Sequence, residues 1–337
     1  MKNMDLESLK NPNYHMVLFT GGLDSTYRIC QLAIDKDAII QPVYILFPDN
    51  KNSHHVRPEL QNEIDAQDKI LEYIKTQPQT KATILPIRRV HRDELPVNDK
   101  EVLYACNVDD WEEKLASVGG LGWQYYYFAI YAKYYPGVEL CQERVFRVFT
   151  RHNVIFKVNK LGQNRAHFDL SGNKKYLFLQ FIFGNLSFPI IGTTREQMQI
   201  NLKKWGYTKV WELIVFCYKT IHNKPCGVCD NCFVKINEGL DFLFTRDAIH
   251  RYYVLKVIRR IDIFNENKNI QGLYHNYVIN GKLFDDDIDN FVIRLSYVHF
   301  FEYLEKMSDK TLKKLVKNDK NIFDIYHKLV LRKGENK

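Results

Sequence analysis

The stretch from Met16 to Thr26 constrains the fold more than any other part of the chain. It reads Met-Val-Leu-Phe-Thr-Gly-Gly-Leu-Asp-Ser-Thr, an apolar run that ends in two glycines, an acid and two hydroxyl residues. Apolar side chains follow at helical spacing, so the stretch predicts a strand, a turn and a helix. The glycines permit positive φ, and the first N–H groups of a helix have no partner inside it. Because the helix dipole adds positive charge there, the turn is predicted to bind an anion such as phosphate.

The spacing of this turn differs from that of two other phosphate loops. A Walker loop needs Gly-x-x-x-x-Gly-Lys-Ser/Thr and a dinucleotide fingerprint needs Gly-x-Gly-x-x-Gly, and neither occurs here. The string from Thr20 to Ser25, Thr-Gly-Gly-Leu-Asp-Ser, instead resembles the PP-loop of the ATP pyrophosphatases, Ser-Gly-Gly-x-Asp-Ser. The alternative is an ordinary glycine turn between a buried strand and a helix, since such glycines are common.

Size and charge are those of an ordinary globular protein. The chain has 337 residues, 45% hydrophobic and 26% charged, which is enough for one large domain or two modest ones. The net charge of +8 arises from 48 basic and 40 acidic residues spread along the chain. A dispersed excess of this kind does not favour a nucleic-acid partner.

The sequence predicts a cytoplasmic protein. No segment offers the roughly 18 apolar residues of a membrane span, and the first residues lack the apolar core of a secretion signal. We therefore expect no membrane partner. In the cytoplasm, the seven cysteines are expected to be thiols or metal ligands rather than disulfides.

The first hundred residues predict a doubly wound parallel sheet of the α/β class. Apolar patterns indicate a helix over Leu23–Asp35, a strand over Ala38–Phe47, a helix over Pro58–Lys75 and a strand over Ala82–Ile87. This β-α-β-α-β order is typical of that class. Ligands bind beyond the carboxyl ends of such strands, where the turn after Phe19 and Asp49 are both expected.

Later segments predict further parts of the fold. Residues 108–136 look helical and are rich in aromatic side chains, which favours a core role over base stacking. Turn strings within 139–191 predict hairpins. Thr193 or Thr194 has the spacing of a capping box at the start of a helix. From Phe233 onward the pattern predicts helices, with breaks at Gly272 and Gly281. We expect a PP-loop core over 1–138, an inserted β-hairpin region over 139–191, the rest of the core with a zinc loop over 192–245, and a helical extension over 246–337.

Four cysteines have the spacing of a metal site. Cys226, Cys229 and Cys232 form a Cys-x-x-Cys-x-x-Cys string, and Cys217 lies nine positions before it. Four thiolates complete the tetrahedral set of a structural zinc ion. An iron–sulfur cluster is the alternative, although no Cys-Pro fourth ligand is present. Unlinked buried cysteines, the other alternative, rarely fall at this spacing.

The turn and the cysteines together resemble the 7-cyano-7-deazaguanine synthase (QueC) family. Phe-Cys-Tyr at Cys217 and Pro-Cys-Gly-Val-Cys-Asp-Asn-Cys at 225–232 are similar to that family's cysteine strings. Pro-Ile-Ile-Gly-Thr-Thr at 189–194 and Arg-Pro-Glu-Leu at 57–60 match less closely. Three family strings are altered or missing, including the Asp-x-Ser-Gly-Tyr-Pro-Asp-Cys-Arg segment that lines the substrate pocket, where the hairpin-like region lies instead.

This resemblance implies an adenine nucleotide α-hydrolase-like (HUP) fold and an ATP-dependent C–N ligase. A carboxylate such as 7-carboxy-7-deazaguanine is adenylated, pyrophosphate leaves, and a nitrogen nucleophile displaces AMP to give an amide and then a nitrile. It implies ATP, Mg²⁺ and Zn²⁺ as cofactors and Asp24 and Ser25 as catalytic residues. The implied ATP-binding residues are Thr20, Gly21, Gly22, Leu23, Asp24, Ser25, Thr26 and Arg57.

Two alternatives stay open. A diverged relative keeps adenylation but passes the acyl group to a protein amine in a bacterial defence system; the missing substrate string and the C-terminal extension favour it. A nucleotide-binding scaffold without turnover is the second alternative, although the intact loop residues argue against it. In each case we expect a homodimer or a hetero-complex.

Overall fold

The computed structural model describes two compact units, Met1–Val215 and Phe216–Lys337. The described residues are 8–47, 60–96, 121–142, 149, 154–160, 162–168, 174–217, 220–222, 224–262, 270–281, 283, 291–317, 319–326 and 329–330. Among them, no helix is long and apolar enough to cross a membrane.

A parallel sheet forms the centre of the first unit. Strand β1 (Tyr14–Leu18) pairs with β2 (Ile39–Leu46), and β2 pairs on its other edge with β3 (Thr83–Ile84) and β4 (Arg88–His91). The sequence predicts one strand over Ala82–Ile87; β3 lies within it, and β4 lies beyond it. Pro86 lies between them, and because proline lacks an N–H it cannot donate to the ladder, so the strand is interrupted.

The sheet continues beyond the other edge of β1. Val17 forms a parallel bridge with Glu139, and Glu139 forms one with Ser187. The Leu18 N–H donates to the Glu139 carbonyl at 2.9 Å, and the Glu139 N–H donates to the Met16 carbonyl at 2.7 Å. β1 is therefore an inner strand with parallel neighbours on both sides, and the predicted α/β class with a parallel sheet is confirmed.

Helices pack against this sheet and against one another. Helix α1 packs its apolar side on β1, with Tyr27, Ile29 and Leu32 buried. The predicted aromatic core is confirmed in α3, where Tyr126, Phe128 and Tyr131 are buried. The described helices of the first unit are α1 (Leu23–Ala33), α2 (Leu60–Thr76), α3 (Gln124–Tyr134), α4 (Lys174–Phe183), α5 (Arg195–Lys204) and α6 (Val210–Leu213).

The start of α5 confirms the predicted capping box. The Gln197 N–H donates to Thr194 Oγ1 at 3.2 Å, and the Thr194 N–H donates to Gln197 Oε1 at 2.8 Å. The helix ends beside Gly206, whose φ of +80° suits a glycine stop. Of the two registers that the sequence allows, the one beginning at Thr194 is used.

The segment 139–191 contains one described hairpin rather than several. Strands β5 (Ile155–Val158) and β6 (Asn164–His167) are antiparallel. The next turn string leads into helix α4, not into another strand. Helix α4 is apolar on most sides, and a short apolar run cannot be assigned to helix or strand from its periodicity.

The second unit is helical and contains the cysteines in its core. Among its described residues the helices are α7 (Asp230–Asn237), α8 (Arg246–Asp262), α9 (Ile270–Asn280), α10 (Phe291–Glu305), α11 (Asp309–Leu315) and α12 (Asp319–Tyr326). Gly281, with φ +73°, follows α9 as expected, but Gly272 lies inside that helix and does not break it. The boundaries of the four segments expected from the sequence stay predictions.

Candidate phosphate loop and cysteine cluster

The turn after β1 has the backbone conformation that its glycines allow. Gly21 has a φ of +77°, and Gly22 is the extended N-cap residue of α1. No side chain caps this helix end, so the first N–H groups of α1 have no partner inside the helix and no capping group. The Gly21 carbonyl accepts from the Val215 N–H at 3.0 Å. The turn can therefore present N–H donors to an anion.

The hydroxyl side chains of the turn help to fix its shape. Thr20 Oγ1 accepts from the Gly22 N–H at 3.4 Å, and Ser25 Oγ donates to the Gly22 carbonyl at 3.3 Å. Both bonds hold Gly22 at the start of α1. Thr26 Oγ1 is buried and has no hydrogen-bond partner in the described part of the chain.

Asp24 lies in the first turn of α1 and is partly buried. Burial raises the pKa of the Cys141 thiol, and the carboxylates of Glu139 and Asp24 raise it further. Arg57 and Asp49, predicted to face the same pocket, lie outside the described residues.

The sequence does not identify Gln67 as a neighbour of the turn. A Cβ placed on Gly21 would stand 3.5 Å from Gln67 Cγ, so helix α2 packs directly against this glycine. Gln67 is fully buried, and neither its amide nitrogen nor its amide oxygen has a hydrogen-bond partner among the described residues. An unsatisfied buried polar group destabilises a fold by about 1–3 kcal/mol.

We expect the Gln67→Met variant to be more stable than the wild type. The thioether keeps the length of the side chain and removes the unsatisfied amide, so the free energy of unfolding is expected to rise by about 1 kcal/mol. Urea unfolding of the ligand-free protein measures this change. Gln61→Met, an exposed substitution on the same helix, is the control and is expected to leave stability within about 0.5 kcal/mol. A loss of stability in Gln67→Met would contradict the prediction.

A buried charged cluster lies on the same sheet, further from the turn. Arg28 donates to Glu139 from Nε at 2.7 Å and from a terminal nitrogen at 2.8 Å. His15 Nδ1 lies 2.9 Å from Glu139 Oε1. Burial alone raises the pKa of Glu139, but the charge and hydrogen bonds of Arg28, with the hydrogen bond of His15, lower it to about 2. The Glu139 carboxylate is therefore ionised at neutral pH.

The four predicted metal-ligating cysteines meet in the second unit. Cys217, Cys226, Cys229 and Cys232 are all buried, and one atom from each lies within 4.8 Å of the others. Sulfur–sulfur distances are 3.8 Å for Cys226–Cys232 and 4.0 Å for Cys217–Cys229. A tetrahedron with metal–sulfur bonds of about 2.3 Å has edges of about 3.8 Å. The cluster can therefore hold a metal ion.

Backbone geometry supports this cluster. The N–H groups of Val228 and Cys229 donate to Cys226 Sγ at 3.4 and 3.3 Å, and the Cys226 N–H donates to Cys217 Sγ at 3.3 Å. Gly227 has a φ of +82°, and a Cβ there would lie 2.2 Å from the Ala248 carbonyl oxygen. Only glycine fits this close approach without a shift of the backbone.

Surrounding side chains hold the same loop. Arg251 Nε donates to the Cys226 carbonyl at 2.8 Å, and Asn231 Nδ2 donates to the Phe216 carbonyl at 2.8 Å. The hydrogen bond with Cys217 lowers the pKa of the Cys226 thiol. Cys229 is the N-cap residue of α7 and Cys232 lies in its first turn, where the helix dipole favours thiolates. Hydrogen bonds with the neighbouring thiols raise the pKa of Cys217 and Cys232, so these two sulfurs become thiolates when a metal displaces their protons.

Comparison with known proteins does not extend these assignments. Neither the models of protein families nor the curated proteins gave a match to this chain.

Proposed function

We propose that the first unit is a doubly wound, HUP-type ATP pyrophosphatase core that adenylates a carboxylate. The observation that carries this proposal is the turn after β1, in which Gly21 has positive φ and Gly22 begins α1 without a side-chain cap. The turn follows an inner strand of a parallel sheet, which is where such folds bind ligands. Its string, similar to Ser-Gly-Gly-x-Asp-Ser, favours ATP with loss of pyrophosphate over phosphoryl transfer.

The residues of the turn fit a triphosphate. The N–H groups at Leu23 to Ser25 would donate to pyrophosphate oxygens, where negative charge grows as the α-phosphorus bond breaks. Asp24 would hold Mg²⁺ directly or through water. Thr20 would keep Gly22 in place and donate its own hydroxyl proton to the phosphates, whereas the Ser25 hydroxyl would turn from the Gly22 carbonyl to donate to them. ATP with Mg²⁺ supplies the electrophilic phosphorus and the leaving group.

We infer that the cysteine cluster holds zinc. A four-cysteine site without an open position is typical of structural rather than catalytic zinc. The sulfur spacings of 3.8 and 4.0 Å fit a single tetrahedral ion. Its role would be to hold the loop from Cys217 to Cys232 on the helical core of the second unit.

The resemblance to the QueC family supplies the proposed substrate. The acyl substrate would be a deazapurine carboxylate such as 7-carboxy-7-deazaguanine, and the nucleophile would be ammonia. The protein would then be an ATP-dependent C–N ligase. Arg57 stays a predicted ATP-binding residue.

The β5–β6 hairpin favours a second candidate function. It lies in the region where the family's substrate string is missing, and it exposes two large apolar side chains, Ile155 at 60% and Val158 at 70%. Side chains exposed on this element would be accessible to a macromolecular partner. The acyl group would then pass to a protein amine rather than to ammonia.

We expect wild-type protein to release pyrophosphate and AMP from ATP when 7-carboxy-7-deazaguanine and ammonia are present. The Asp24→Ala variant is expected to release pyrophosphate about 100-fold more slowly, because the magnesium ion and the growing charge lose a stabilising group. A coupled phosphate assay after pyrophosphatase treatment measures the rate. Asp37→Ala, an exposed acid beyond the end of α1, is the matched control and is expected to retain the full rate.

The products separate the proposed functions. A nitrile or amide detected by mass spectrometry supports the small-molecule ligase. AMP without either product, together with a mass gain on a partner protein, supports transfer to a protein amine. If no carboxylate stimulates pyrophosphate release from ATP, and the release measured for Asp24→Ala equals that of the wild type, the results favour the nucleotide-binding scaffold without turnover.

A further inference from the structure

A polar cavity of about 240 Å³ lies in the first unit at the beginning of β1. It is lined by Asn11, His15, Arg28, Glu139 and Gln163, among other residues. His15 comes near the start of β1, whereas the phosphate turn follows the strand's end. The cavity is therefore distinct from the proposed ATP site, and the ATPase chemistry makes no use of it.

The charges that line this cavity cancel. Arg28 and Glu139 form a two-bond ion pair, with side chains only 13% and 7% exposed. Their opposite charges leave no net charge for a ligand to neutralise. A charged ligand would have to leave water without gaining a free counter-charge, so the cavity favours a neutral polar ligand.

Glu139 also fixes the role of His15. His15 Nδ1 lies 2.9 Å from Glu139 Oε1, which only accepts, and 3.4 Å from an Arg28 terminal nitrogen, which only donates; the shorter contact assigns the proton to Nδ1. In the neutral imidazole the other nitrogen, Nε2, is then an acceptor. Nε2 has no hydrogen-bond partner within the described residues. The cavity thus has one oriented acceptor.

Two side-chain amides supply donors. Asn11 Oδ1 accepts from the Asn13 N–H at 3.0 Å, which leaves the Asn11 NH₂ group to donate to a ligand. Gln163 Oε1 accepts from Asn159 at 3.0 Å and from Arg165 at 2.8 Å, which leaves the Gln163 NH₂ group. Because their oxygens are already used, both amides offer N–H donors to the cavity.

We propose that this cavity is a second ligand-binding site, for a small neutral heterocycle with a carbonyl, N–H, carbonyl edge. The ring N–H donates to His15 Nε2, and the two flanking carbonyl oxygens accept from Asn11 and Gln163. The volume is below the roughly 300–1,000 Å³ of drug-sized pockets, which suits a single ring. Uracil is the simplest molecule of this class.

Uracil binding tests the proposal directly. Titration calorimetry of the full-length protein with uracil is expected to show one site with a Kd of about 1 mM or tighter. 3-Methyluracil, in which the central N–H is replaced by N–CH₃, is expected to bind at least about tenfold more weakly. The absence of uracil binding to folded wild-type protein would overturn the proposal, as would equal binding of the two compounds.

A matched pair of variants tests the role of His15. His15→Asn places an NH₂ donor where Nδ1 stands, so it retains a donor toward Glu139 and lacks Nε2. Its Kd for uracil is expected to rise at least about tenfold, while the circular dichroism spectrum stays that of the wild type. His167→Asn, an exposed substitution on β6, is the control and is expected to bind uracil as the wild type does. Should His15→Asn fail to fold, Gln163→Glu is the second test. Its carboxylate repels a carbonyl oxygen of uracil, so the Kd for uracil is expected to rise as much as in His15→Asn. Unchanged binding in the folded variant would refute the site.

Discussion

Replacing Cys229 with serine is expected to abolish stable metal binding and to unfold the second unit. The hydroxyl is a poor zinc ligand, and the three remaining thiols are buried in the helical core. Apparent zinc-binding free energies of four-ligand sites reach about 10–16 kcal/mol at neutral pH, and this energy contributes to folding. A typical domain has a stability of about 5–15 kcal/mol. The lost zinc-binding free energy is therefore expected to be as large as most or all of the stability of the second unit.

Metal content and protection from proteolysis measure this effect. Wild-type protein is expected to contain about one zinc per chain that resists chelators, as for a closed structural site. In Cys229→Ser, zinc is expected to be absent and trypsin is expected to cleave the region of α7 and α8 rapidly. Cys30→Ala, which removes a buried thiol of the first unit, is the control and keeps the zinc. A Cys229→Ser protein that folds normally with full metal would refute the assignment, and visible absorbance with bound iron would favour the iron–sulfur alternative.

Local signals explain what the sequence predicts well. The turn at Gly21 and Gly22 is encoded by adjacent residues, and positive φ at Gly21 follows from a string that needs a sharp change of direction. The cysteine cluster is likewise encoded within sixteen residues, from Cys217 to Cys232, so spacing alone suffices. The capping box at Thr194 depends on a single residue three positions later.

Long-range packing explains what the sequence does not reveal. His15 and Arg28 meet Glu139 across 124 and 111 residues, and no periodicity in the sequence links them. The sequence pattern predicts that Gln67 is an ordinary polar residue of an amphipathic helix. In the structure, however, α2 packs with Gln67 directly against Gly21. The cavity at the start of β1 arises from such contacts, so it requires coordinates rather than motifs.

The same long-range cluster gives the second large expected effect. We expect Glu139→Ala to lower the free energy of unfolding of the first unit by about 3–5 kcal/mol, because Arg28 is left buried without its counter-charge. Urea unfolding followed by the fluorescence of Trp123 and Trp205 in this unit measures the change. Asp68→Ala removes the partner of Arg89 in an exposed pair of equal 2.7 Å length, and it is expected to change stability by less than about 1 kcal/mol. Equal effects of the two substitutions would contradict the role of burial.

The pH dependence of stability provides an independent measurement of the same ion pair. The pKa of Glu139 is lowered to about 2 in the folded protein from 4.5 in the unfolded chain, so between these values the unfolded state binds more protons. Stability from this group is therefore fully present above about pH 4.5 and is lost as the pH falls toward 2. The shift corresponds to about 3 kcal/mol, since one pKa unit is about 1.4 kcal/mol. In Glu139→Gln, the loss of unfolding free energy between about pH 4.5 and pH 2 is expected to be smaller than in the wild type by this amount. If the variant loses as much stability as the wild type over this range, other carboxylates govern acid unfolding.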